Sequence, residues 1–491
     1  MSIQDEILLV GVGWIAAILL TFRISIQSAA GSVGLPLAYL LATTFCYIGG
    51  FSYVFPDYSH ERIGGSLYLR SYAYSEHTVL LGMTATFLGL AGFAAGCMLK
   101  RGIAGTQNAS YTSLLVDRAA RDKVLWYLAV LGVLGYVFQL LRIDFPMAQA
   151  LLQGLRNMGL AATCLGLLYA THDRNRAAFL AWLCVAASPP LIYVVAIGFV
   201  SAGFIIFTLL TGFWLSWLGR ERMSAIKFML GAIPITYLML SLFVAWMSFR
   251  MDVRSAESFE DRIDAISAGT QKIEWLTPGN HESLDWLNTR LNQYIFVGKV
   301  IEQHEALPSL RLNGESLMYI PLVWVPRAIW PNKPEMGGNA MLSKHAGMAF
   351  SATATFGSGP IVELFVNFGY AGILFGSMIL GYLVRWIDLR ATEALRAGRP
   401  LEFTRWFCVG IPFVAPLTEI FFIANSAMMA WPIEASLISG TSRARRGRFR
   451  RSRSWPMRRA CPAARPCWAA CSMLSANRWT AAAPSSRIPA R

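Results

Sequence analysis

Apolar residues run through most of this chain in stretches of about 20, without the period-2 alternation of a barrel strand. That pattern predicts helices that cross a bilayer. Ten stretches qualify: 7–22, 33–55, 78–99, 124–141, 155–170, 177–197, 200–218, 225–249, 360–384 and 404–423. The stretch 155–170 is short, and 177–218 is split at Ser188-Pro189-Pro190. Between the eighth and ninth the pattern changes, and 250–359 forms a polar insert of 110 residues. Inside it, Phe259, Ile263 and Ile266 recur at helical spacing over 257–276, and Thr277-Pro278-Gly279-Asn280 ends that run. Leu284, Leu287, Leu291 and Ile295 share one face over 283–305, with Arg290 on another. Residues 317–330 are apolar enough to dip into an interface, but Pro321 and Pro326 interrupt them too often for a span. The stretch 335–360, rich in Gly, Ser, Ala and Thr, reads as mobile loop.

The expectation is an all-α polytopic membrane protein with about 10–11 transmembrane helices and one large extramembrane loop containing short helices. Its divisions are an N-terminal bundle of about eight spans at 1–249, the loop at 250–359, C-terminal spans at 360–440 and a tail at 441–491. Composition agrees: 55% of residues are hydrophobic and 14% charged, against roughly 25% charged in a soluble domain. The start, Met1-Ser2-Ile3-Gln4-Asp5-Glu6, is acidic where a cleaved signal would be basic, so 7–22 reads as a retained helix.

Basic residues set the orientation. Lys100, Arg101, Arg118, Arg121 and Lys123 lie between the third and fourth stretches, Arg174 and Arg176 between the fifth and sixth. Arg220, Arg222 and Lys227 lie at the junction of the seventh and eighth, and Arg385, Arg390, Arg396, Arg399 and Arg405 at the junction of the ninth and tenth. Threading ten spans puts every cluster on one side, the cytoplasm, and the 250–359 loop outside. The net charge of +15 misleads, because 441–491 holds 13 arginines and no acid, leaving 30 basic and 28 acidic residues elsewhere. That tail reads either as out-of-frame translation of GC-rich DNA that replaces a last span, or as a basic segment that binds lipid headgroups. The outer loop has no cysteine, so no disulfide framework holds it.

Candidate chemistry gathers in the second half of the loop. Pro321, Pro326, Pro331 and Pro334 restrict the backbone around Arg327 and Lys333, and Trp324 and Trp330 suit the headgroup level. A guanidinium fork and an ammonium held there suit a pyrophosphate; the same residues also read as a belt that only anchors the loop. His345 reads as a general base for a sugar hydroxyl or as solvated surface. Glu363 and Asn367, four apart at the start of 360–384, share a helix face. An acid entering a span is costly and often functional, so Glu363 reads as an acceptor-orienting group, a base, or the partner of a neighbouring arginine. Glu419, after Pro412 and Pro416, sits in a helix the prolines distort, where an arginine of another span would be its partner. No Gly-rich phosphate loop, Asp-x-Asp pair or Ser/His/Asp arrangement occurs, so the expected group transfer is metal-independent and needs no cofactor.

Arg290, Gly314, the string Val325-Pro-Arg-Ala-Ile-Trp-Pro-Asn-Lys-Pro334, and Glu363 with Asn367-Phe368-Gly369 and Gly372 together resemble the Wzy-type polymerases. These join O-antigen and exopolysaccharide repeat units in bacteria. The resemblance covers the span plan and, more specifically, about 285–381. It implies a GT-C-like glycosyltransferase of the bacterial inner membrane. The enzyme would take a glycan from undecaprenyl pyrophosphate and join it to a lipid-linked repeat on the periplasmic face. Carried over by position, Arg327 and Lys333 would contact the pyrophosphate with Arg290 assisting, and Glu363, Asn367 and His345 would serve the acceptor side. The implied partners are undecaprenyl-pyrophosphate-linked oligosaccharides, the bilayer, a chain-length regulator and a flippase; nucleic acid is not among them. A glycan ligase of related fold, a lipid-linked sugar transporter and an assembly subunit are the competing readings. Family members continue through further spans where this chain has its basic tail.

Overall fold

A computed structural model describes residues 2–27, 30–55, 75–100, 118–140, 146–192, 200–218, 224–256, 258–270, 284, 287–288, 291–322, 325, 329–330, 338–350 and 356–428. Arg290, Arg327, Lys333 and the 441–491 tail lie outside the described residues. Among the described residues the chain is all-helical, with no strand. The main helices are α1 Ile3–Phe22, α2 Leu35–Tyr47, α3 Glu76–Leu99, α4 Arg118–Leu140, α5 Pro146–His172, α6 Arg176–Ile192 and α7 Val200–Phe213. Then come α8 Ala225–Ser255, α9 Phe259–Thr270, α10 Gln293–Ala306, α11 Gly338–Ala346, α12 Gly359–Arg396 and α13 Pro400–Gly410. Among the described residues five helical stretches are long and apolar enough to cross a membrane: Ile3–Ser25, Leu35–Val54, Glu76–Leu99, Ile226–Trp246 and Gly359–Arg396.

Local chemistry starts these helices. Ser2 and Asp5 form a reciprocal cap on α1, and Ser75 and Thr78 do the same for α3. The start of α2 is capped from far away. Asp388 Oδ1 accepts from Ser32 Oγ at 2.9 Å and from the backbone N–H groups of Val33, Gly34 and Leu35 at 3.0, 3.1 and 3.2 Å. Its other oxygen takes Arg385 Nη1 at 2.6 Å, and both side chains are fully buried.

α3 is the axis of the bundle. One side receives the second limb of α12, where a Cβ on Gly92 or Gly96 would strike the backbone oxygen of Leu374 or Met378. The other side receives α10. A Cβ on Gly82 would strike Tyr294 O, one on Gly298 would strike Thr78 O, and Glu302 accepts from the Thr78 hydroxyl. Backbone contact this close needs glycine on both helices.

Here the structure departs from the hydropathy pattern. The middle of the 250–359 segment is packed into the bundle: Tyr294, Ile295, Val300 and Ile301 are completely buried, and Gly49 N donates to Leu291 O at 3.1 Å. The helix expected over 283–305 is continuous only from Gln293, after a turn at 291–292. α8 runs past the expected boundary at 249 to Ser255, and α9 folds back on it, with Ala265 and Ile266 against Trp246 and Val253. Part of the stretch read as mobile loop forms α11, because Met341, Leu342 and His345 line one face and bury it.

Candidate functional site

Two of the expected spans are broken, and the breaks meet. α12 is interrupted at Gly369, whose φ of 65° and ψ of −152° suit glycine alone among the common residues. The limbs fold onto each other: a Cβ on Gly372 would strike Leu364 O, and one on Gly376 would strike the Leu364 side chain. The first limb therefore begins beside the second and rises to the turn. α13 gives way to a tight turn at Ile411–Val414 around Pro412, then irregular chain to Glu419, and a helix resumes at 420. Gly357 and Gly359 press on the backbone of Leu417 and Pro416, so the start of α12 abuts this irregular stretch. Irregular backbone inside a helical membrane bundle persists only where protein or a cavity satisfies it.

Side chains from both breaks satisfy it here. Glu363 is fully buried on the first limb; its Oε1 accepts from Ser316 Oγ at 3.0 Å and its Oε2 from Ile420 N at 2.6 Å. Asn367, one turn later, donates from Nδ2 to Ser316 Oγ and to Glu363 O, each at 2.7 Å, and accepts from Gly314 N at 2.9 Å. Leu312 N donates to Val366 O at 3.0 Å. The shared helix face thus holds, and its target is the chain at 312–316, the lead into the proline-rich basic string. Glu419, 5% exposed, accepts from Ser358 N at 3.1 Å and Ser358 Oγ at 2.9 Å. Its partner among the described residues is thus a serine at the start of α12 and not the arginine that the sequence suggests.

His345 is brought to a second group. It is 1% exposed on α11, and its Nδ1 lies 3.1 Å from Nε2 of His304 on α10, which is equally buried. Burial, then the neighbouring His304 and Lys344, lowers the His345 pKa to about 4; burial and Arg311 also lower that of His304. The pair is neutral at pH 7. The His304 ring stands edge-on to Phe365 at 5.6 Å, so both groups touch the first limb of α12.

Two cations were not anticipated. Arg311 is exposed, and its guanidinium lies at the turn, Nη2 3.5 Å from where a Gly369 Cβ would stand. Its signal was only its place next to Gly314. Arg156 on α5 is 6% exposed and, with Gln153 and Asn157 on the same face, lines a cavity of about 290 Å³. Pro412, Ala415 and Thr418 of the irregular stretch form the opposite wall. Gln153 Nε2 donates to Asn157 Oδ1 at 3.0 Å, and Arg156 donates to Gln153. An arginine inside the short apolar stretch 155–170 was the available signal.

Comparison of the chain with protein-family models, with characterised proteins and with solved structures finds no match.

Proposed function

We propose that the chain is a membrane glycosyltransferase that polymerises lipid-linked repeat units. On this reading the helices form a GT-C-like bundle of ten or more spans in the bacterial inner membrane, with the 250–359 segment on the periplasmic face. The observation that carries the proposal is the meeting of two broken helices, with buried Glu363 and Glu419 at the breaks and the chain at 312–316 hydrogen-bonded to the first. The chain so held, 312–316, precedes Arg327 and Lys333 in sequence by about a dozen residues, which supports the reading.

In the reaction, a hydroxyl of the acceptor repeat attacks the anomeric carbon of the donor glycan. The bond from that carbon to the phosphate oxygen breaks, and undecaprenyl pyrophosphate leaves with the electron pair. Arg327 and Lys333, assisted by Arg290, balance its charge without a metal. Glu363, which accepts from a hydroxyl and an N–H as an ionised carboxylate does, takes the acceptor's proton, with His345 as the alternative base. Asn367 positions Glu363 through Ser316.

The test is to extract lipid-linked glycans from cells lacking the native gene and complemented with wild type, Arg327→Ala or Glu363→Gln. Both variants, at normal protein level, should accumulate single repeats where wild type makes long chains. Long lipid-linked chains persisting in Arg327→Ala would overturn the cationic clamp; chains persisting in the null strain would overturn polymerisation and leave ligation. A second reading, transport of a lipid-linked sugar, draws on the same paired broken helices. It predicts that isolated membranes given already-translocated repeats form chains without this protein.

A further inference from the structure

A second cavity lies apart from the broken helices and adjoins the Arg156 cavity along Tyr136 and Leu160. α4, α5 and α6 enclose about 560 Å³, within the range of about 300–1,000 Å³ that holds small ligands. Glycine sets its shape. α4 and α5 touch at Gly132 and Gly159, where a Cβ on one would lie 2.3 Å from the other's Cα, and the Trp182 indole of α6 rests on Gly166. Elsewhere the three helices diverge. The walls are apolar and include Ala129, Val133, Leu160 and Val185. Trp126 and Val133, which line it, are 68% and 60% exposed, so the cavity opens sideways on a face suited to lipid tails.

One end is polar and charge-balanced. Arg118, Arg121, Asp122 and Asp173 line it, two cations and two anions. Arg121 is committed within the protein: Nη2 to Asp173 Oδ2 at 2.7 Å, Nε to Asp122 Oδ1 at 3.1 Å, and its guanidinium 4.7 Å from the centre of the Tyr169 ring. Arg118 is exposed, close enough to Asp173 to interact with its charge but with no hydrogen bond among the described residues, and Asp122 is about half exposed with its second oxygen free of described partners. The mouth therefore offers one cation and one anion side by side, above an apolar slot open to the bilayer.

We propose that this cavity binds one glycerophospholipid whose headgroup carries both a phosphate and an amine. Arg118 takes the phosphate, Asp122 takes the ammonium, and one acyl chain enters the slot along Ala129 and Val133. A headgroup with phosphate alone would set its charge against Asp122 and Asp173 with only Arg118 free to answer. The site is independent of the glycosyl-transfer reading, since none of its residues belongs to the broken helices.

The experiment uses the full chain, delipidated in detergent, and native mass spectrometry to count retained lipid. Phosphatidylethanolamine should bind at one saturable site, more tightly than phosphatidylglycerol of the same chains by about fivefold or more, roughly 1 kcal/mol. Arg118→Gln and Asp122→Asn should each remove that preference, and Ala129→Trp, which fills the slot, should abolish the single site. Equal or tighter binding of phosphatidylglycerol overturns the proposal, as does binding that never saturates. Size-exclusion profiles identify any variant that misfolds. If Ala129→Trp does, the two charge variants decide alone, and an unchanged preference in both refutes the headgroup assignment.

Discussion

Asp388→Ala and Arg385→Met should differ sharply in cost although they remove opposite ends of one ion pair. Asp388 accepts from four donors besides Arg385, three of them backbone N–H groups of Val33, Gly34 and Leu35 at the entry to α2. Arg385 has, besides Asp388, only a 3.5 Å contact to Ile24 O, and its Nε has no partner among the described residues. Deleting the acid strands a buried guanidinium and uncaps a helix, about 3–5 kcal/mol. Deleting the arginine leaves Oδ1 with its four donors and Oδ2 with none among the described residues, about 1–3 kcal/mol. The assay is thermal unfolding of detergent-solubilised protein, with Arg385→Met/Asp388→Leu completing the cycle. The double variant should melt above Asp388→Ala, since it strands no charge. An Arg385→Met melting point at or below that of Asp388→Ala would refute the reasoning, and so would a double variant no better than the single acid deletion.

Gly369→Ala meets no steric clash, yet should cost about 1–3 kcal/mol from its backbone angles alone; the same change at Gly231, a helix position with nothing within 4 Å, should be neutral or slightly stabilising. Equal melting points for the two would remove the case for a strained turn. Acidification should destabilise the fold through His345. The unfolded chain takes up its proton near 6.5 and the folded one near 4, so the contribution is complete above about 6.5 and is lost as pH falls from there towards 4. His345→Gln should flatten that slope between pH 7 and 5, and an unchanged slope would exclude the pair as its origin. Ser316→Ala should cost about 1–3 kcal/mol by leaving Glu363 Oε1 and an Asn367 N–H unsatisfied, and should shorten glycan chains in cells. Normal chain length at normal protein level would show that the link to 312–316 is dispensable.

Helix positions were legible wherever hydrophobicity alone decides them. Among the described residues the apolar stretches fall largely on helices, apart from 404–423, which is irregular from 415 to 419, because a run of about 20 apolar residues has few other ways to satisfy its backbone. What hydropathy missed is how those helices break and what fills the gaps. The turn at Gly369 depends on one residue inside an unbroken apolar run, and its signal, four glycines from 369 to 381, reads equally as a close-packing face. α10 carries Lys299, Glu302 and His304, enough polarity to look extramembrane, yet pairs those groups with one another, with Thr78 and with His345. Glu363 and Asn367 were visible as a shared face; their common partner Ser316 was not, since nothing in a sequence ties residue 316 to residue 363.

The dependence of α3 on late-arriving neighbours bears on how the protein is made. Thr78 and Glu302 are 224 residues apart, and Cys97 and Gly381 are 284 apart. At a synthesis rate of about 5–20 residues per second, α3 waits roughly 10 seconds to a minute for helices that seal its glycine grooves. During that time the grooves at Gly82 and Gly96 have neither α10 nor α12 against them. A chain truncated before α10 closes neither, and one truncated before 378 leaves the groove at Gly96 open. Such a fragment is a natural target for membrane quality control, and topology reporters fused inside that interval would sample a helix that has not yet met its partners.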